Sequence, residues 1–108
     1  MNTNLRHIIS TEIFTRPWLE QVFRRAEQFI QEGFVHTLPN QIIATCFFEP
    51  STRTRLSFTS AAYQLGANVL GFADSTSTST SKGETLEDTI RMVSNYADVI
   101  VMRHPEAG

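Results

Sequence analysis

Ile42-Ile43-Ala44-Thr45-Cys46-Phe47-Phe48-Glu49-Pro50-Ser51-Thr52-Arg53-Thr54-Arg55 is the stretch on which the fold turns. Its first half, Ile42–Phe48, is a nearly continuous apolar run of strand length. Runs of this kind suit a parallel sheet covered on both faces. Pro50 cannot donate to a strand ladder, and Ser51 and Thr52 are good helix caps, so the pattern predicts a strand that passes almost directly into a helix. The junction sets the hydroxyls of Ser51, Thr52 and Thr54 and the guanidinium groups of Arg53 and Arg55 at a strand's carboxyl end and a helix's amino end.

Outward from this junction the elements alternate. Before it, Thr15 can cap a helix with Pro17 in its first turn, and Phe14 can staple against Leu19. Leu19, Val22, Phe23, Ala26, Phe29 and Ile30 recur at helical spacing until Gly33, which can end the helix. After the junction, a second helix is expected over Ser51–Leu65, closed by Gly66, and a short strand over Val69–Phe72. A third helix over Thr85–Tyr96 carries Leu86, Ile90, Val93 and Ala97 on one face, and Val99–Met102 is a third strand. Alternating helices and apolar strands argue for an α/β fold, a parallel sheet with helices on both faces and right-handed crossovers.

Composition narrows the function. The chain has 108 residues, enough for one small domain, and a formal net charge of −2. That balance argues against a general nucleic-acid or anionic-membrane partner, either of which calls for a basic footprint. The single cysteine, Cys46, excludes an internal disulfide and lies in the apolar run, where it reads as a buried small hydrophobe in a reducing compartment. No targeting segment or membrane-length apolar stretch is found in the sequence, and a cytoplasmic location is expected.

The chemistry points to an anion. In open α/β sheets ligands bind beyond the carboxyl ends of the strands, and a helix start offers unpaired N–H groups and the positive end of the macrodipole. Capping accounts for Ser51 and Thr52 but not for the arginines, which at a helix start cost ~0.3–1 kcal/mol each against the dipole. Arg53 can fork onto phosphate oxygens in a way lysine cannot. Side chains two apart on a helix diverge, so Arg53 is assigned to the ligand and Arg55 to a structural ion pair with a carboxylate such as Glu49. A further arginine, Arg103, ends the third strand at the same sheet edge, followed by His104, which reads as structural. Ser75–Ser81, a run of serines and threonines, reads from composition as a surface loop, with Lys82 leaving open a lid over an anion.

Phe47-Phe48-Glu49-Pro50-Ser51-Thr52-Arg53-Thr54-Arg55-Leu56-Ser57-Phe58 resembles the carbamoyl-phosphate signature of the aspartate and ornithine carbamoyltransferases. Lys82-Gly83-Glu84-Thr85-Leu86-Glu87-Asp88-Thr89 and Val101-Met102-Arg103-His104-Pro105 resemble two further segments of the aspartate branch. The resemblance covers nearly the whole chain, in order. It implies transfer of the carbamoyl group of carbamoyl phosphate to the amine of L-aspartate, giving N-carbamoyl-L-aspartate and phosphate in de novo pyrimidine biosynthesis, with no metal or organic cofactor.

Residue by residue, the resemblance implies that Ser51, Thr52, Arg53 and Thr54 hold the phosphate. Thr54 and Arg103 then reach the carbamoyl oxygen, with Arg53, Thr54 and Arg103 as the catalytic set. Lys82 and a loop hydroxyl, assigned to Ser79, would complete the site of a neighbouring subunit in a homotrimer. The loop is one residue shorter than the family form, and Thr59 stands where the family commonly has glutamate. Residues 1–108 would be the N-terminal part of a carbamoyl phosphate-binding domain, the remainder of which precedes an aspartate-binding domain in the family. A regulatory subunit is left open. Two competing readings are a non-catalytic fragment that only binds phosphate or self-associates, and an ornithine carbamoyltransferase.

Overall fold

The computed structural model describes residues 7–73 and 85–106. The chain divides into two units, one up to Phe34 and one from Val35 onward.

In the first unit a short 3-10 turn, Thr11–Ile13, precedes helix α1, Arg16–Glu32. Thr15 is extended, and its hydroxyl accepts the Trp18 N–H at 3.3 Å, which satisfies one of the donors a helix start leaves open. Pro17 sits in the first turn, where its missing N–H costs nothing. Gly33 stops the helix in a left-handed conformation, φ 83°, with its N–H on the Phe29 carbonyl. The ring of Phe14 stacks on that of Trp18, at 4.8 Å between centroids and 6° between planes. At the other end Phe29 takes the Arg25 guanidinium 4.8 Å above its ring and stacks on Phe34.

The second unit is a parallel three-stranded sheet with helices between its strands. Its elements run β1 (Ile42–Phe47), α2 (Thr52–Gln64), β2 (Asn68–Phe72), α3 (Leu86–Ser94) and β3 (Val99–Arg103), and the spatial order is β2-β1-β3. β1 is central, so Ile43–Phe48 is buried without a break, which explains the continuous apolar run. Alternate residues serve opposite faces. Ala44, Cys46 and Phe48 pack with Leu86, Ile90 and Val93 from α3, together with Phe72 and Ile100. Ile43 packs with Ala62 of α2 and with Ala67, Val69 and Val101 on the other face. A sheet with a helix on each face is therefore what the alternating pattern produces.

The ends of these elements are specified locally. At the end of α2 the Ala67 N–H reaches the Ala62 carbonyl and the Gly66 N–H the Tyr63 carbonyl, the bond pair of a Schellman stop. Ala62 and Ala67 share one cluster, supplying the apolar contact that accompanies such a stop. Thr85 caps α3 by accepting the Asp88 N–H at 3.1 Å. Asp98 ties the start of β1 to β3, since its carboxylate accepts the Ile42 N–H and its own N–H bonds the Ile42 carbonyl, both at 2.8 Å. Gly71, paired with Thr45, runs so close to β1 that a Cβ there would overlap the Thr45 carbonyl. Among the described residues no helix is long and apolar enough to cross a membrane.

Candidate functional site

Parallel pairing decides what meets at the carboxyl edge of the sheet. The β1–β3 register sets Phe47 opposite Arg103, and the Phe48 N–H donates to the Arg103 carbonyl at 2.8 Å. The last residue of β3 thus stands level with the point where β1 turns toward α2. Its guanidinium reaches across that turn. Nε donates to Glu49 Oε1 at 2.8 Å, and Nη1 donates to Ser51 Oγ at 2.6 Å and, at the long limit of 3.4 Å, to Thr54 Oγ1. Residues about fifty positions apart in sequence are joined within one hydrogen-bonded group.

The helix start is unusual in what it lacks. Ser51 is the cap of α2 by position, yet its side chain makes no capping bond. Its hydroxyl serves Arg103 instead. The first backbone bond of the helix runs from the Arg55 N–H to the Ser51 carbonyl, so among the described residues the N–H groups of Thr52, Arg53 and Thr54 find no protein acceptor. The first turn of α2 contains no acidic residue. α3 shows the opposite solution, with Thr85 capping and Glu87 and Asp88 complementing the dipole. Amides without an acceptor among the described residues, at the positive end of a helix, are features that favour an anion.

Beside it lies a cleft of about 260 Å³ lined by Pro50, Ser51, Thr52, Arg55, Leu56 and Ala73. Arg55 does not form the expected pair with Glu49. The carboxylate is held by Arg103, because the β3 register delivers that guanidinium to it. Arg55 Nε is buried and finds no hydrogen-bond partner among the described residues. Thr59, one turn on, donates its hydroxyl to the Arg55 carbonyl at 2.8 Å. Thr52 and Arg53 are exposed at the helix start. Ser79 and Lys82, the two residues assigned to a neighbouring site, lie outside the described residues.

Two other sequence candidates are occupied structurally. Cys46 is fully buried, and burial pushes its thiol up to about 11, far from a reactive thiolate at neutral pH. His104 Nδ1 accepts the Glu106 N–H at 3.1 Å, which engages the lone pair a general base would need. Glu49 is the site residue whose role the sequence misassigned. Only its place at the mouth of β1 could have signalled its partner.

Residues 6–108 match the model of the aspartate/ornithine carbamoyltransferase carbamoyl-P binding domain. The chain belongs to that family. Among its carbamoyltransferase relatives, the aspartate carbamoyltransferase catalytic subunit of Chromobacterium violaceum is 50% identical over 103 residues, 95% of this chain and 34% of that protein. The catalytic subunit of M. jannaschii aspartate transcarbamoylase superposes with a TM-score of 0.82 at 40% identity, over 94% of this chain and 36% of that one. Aspartate transcarbamoylase from Trypanosoma cruzi in complex with carbamoyl phosphate and aspartate gives 0.81 at 40% identity, over 92% and 32%. The chain therefore spans about a third of the length of the carbamoyltransferases it matches.

Proposed function

We propose that the start of α2 and Arg103 form the carbamoyl-phosphate end of an aspartate carbamoyltransferase active site. The observation that carries this reading is the diversion of Ser51 from capping to the Arg103 guanidinium, beside Thr52–Thr54 amides that find no acceptor among the described residues. The phosphate of carbamoyl phosphate sits on those amides and on Ser51, Thr52 and Arg53. The carbamoyl oxygen lies toward Thr54 and Arg103. As the amine of L-aspartate attacks the carbonyl carbon, the oxygen gains negative charge, and the Arg103 and Thr54 donors stabilise it where it develops. Collapse of the tetrahedral intermediate expels phosphate and leaves N-carbamoyl-L-aspartate, the carbamoyl step of de novo pyrimidine biosynthesis.

In this reading residues 1–108 belong to a carbamoyl phosphate-binding domain of a cytoplasmic homotrimer. Lys82 and Ser79 reach the site of the neighbouring subunit, and the aspartate-binding residues lie in parts of the protein outside this chain. The relatives' names support the aspartate branch over the ornithine branch, since the proteins compared above are aspartate enzymes.

In the full-length enzyme, Arg53→Ala and Arg103→Ala are each expected to lower turnover by about 100-fold or more, the size seen when an oxyanion donor is removed. Wild-type turnover in either variant would take that residue out of the mechanism. The 108-residue chain alone, assayed with both substrates, is expected to give no carbamoyl aspartate.

A further inference from the structure

The geometry points to His104 as the positioning residue for Arg103, acting through the acceptor lone pair of Nδ1. This inference rests on the reading of Arg103 as a ligand-facing cation. On the β1 side the Arg103 backbone is held, because its carbonyl accepts the Phe48 N–H at 2.8 Å. On the far side the ladder has ended, and Pro105 has no N–H with which to close the turn that follows. His104 closes it: Nδ1 accepts the Glu106 N–H at 3.1 Å, spanning the proline as an asparagine side chain does in an Asx turn.

The same imidazole is fixed by the core. Its ring lies 5.3 Å from that of Phe48, tilted by 54°, and Phe48 in turn meets Phe72 edge-on at 5.0 Å. Phe48 thus touches both sides of Arg103, by its N–H to the Arg103 carbonyl and by its ring to the next side chain. Arg103 must aim a long side chain with about 2 kcal/mol of rotamer entropy at Ser51 and Glu49 from the end of a strand. A backbone pinned on both sides sets the direction in which that side chain leaves. Site residues are held to productive geometry by such supporting contacts.

The test uses the isotope-labelled 108-residue chain, reading the Arg103 Nε–H signal and the affinity for inorganic phosphate by NMR. His104→Asn keeps an acceptor for the Glu106 N–H and removes the ring; His104→Phe keeps a ring on Phe48 and removes the acceptor. The Asn variant is expected to keep a slowly exchanging Arg103 Nε–H and wild-type phosphate affinity within about twofold. The Phe variant is expected to lose the protection and bind phosphate about three- to tenfold more weakly, the effect of one net hydrogen bond. Backbone signals of β1 and β3 report folding, and His104→Leu replaces His104→Phe if these are disturbed. A protected Arg103 Nε–H in the acceptor-free variant, or equal loss in Asn and Phe, overturns the inference. If the wild-type chain does not bind phosphate, the phosphate reading fails while the Nε–H comparison still decides the part played by His104.

Discussion

Ser51 and Thr85 hold the same position, one at the head of α2 and one at the head of α3, and the structure uses them differently. Thr85 accepts the Asp88 N–H, whereas Ser51 makes no capping bond and accepts from Arg103. Thr85→Ala is therefore expected to lower unfolding stability by about 1 kcal/mol. Ser51→Ala should change stability by less than about 0.5 kcal/mol while weakening phosphate binding severalfold. Denaturant melts together with a phosphate titration check both; a Ser51→Ala loss matching that of Thr85→Ala would make Ser51 a cap after all. Cys46 gives a pH prediction. Its thiol is raised from 9.0 to about 11 by burial, so the folded state binds this proton more tightly than the unfolded state. The contribution is complete below the unfolded value near 9 and is lost as pH rises through about 11. Alkaline melts of Cys46→Ala and wild type should diverge only in that window, and a thiol reagent should leave the folded protein unmodified at neutral pH.

At the scale of elements, the sequence signals that worked were local ones. Thr15, Pro17 and Gly33 mark α1 within a few residues of its chain neighbours, and the unbroken apolar run of β1 follows from its central place between β2 and β3. The signals that failed needed register. Nothing near Glu49 in sequence says that β3 will pair with β1 so as to set Arg103 against it rather than Arg55. Register also explains Gly71, whose backbone, at φ 147°, passes against Thr45 in β1. Gly71→Ala forces a Cβ into the Thr45 carbonyl and a side chain into a φ region that favours glycine, and is expected to destabilise the protein by at least about 2 kcal/mol. A melting temperature equal to wild type would mean that β1 and β2 do not approach as described.

For the whole molecule, a formal net charge of −2 coexists with a cationic sheet edge, because charge placement and charge total are independent. The parallel sheet brings Ser51, Thr54 and Arg103 into one hydrogen-bonded group, and the sequence already placed their segments at one edge. Their actual contacts required the structure. The chain spans about a third of its relatives' length, so the property it can test by itself is the proposed anion site rather than the complete reaction. The most direct measurement is a backbone NMR titration of the 108-residue chain with inorganic phosphate. Saturable shifts centred on the Thr52, Arg53 and Thr54 amides, lost in Arg53→Ala, are the expected result. Shifts centred on the start of α3, or none at the start of α2, would contradict a phosphate site there.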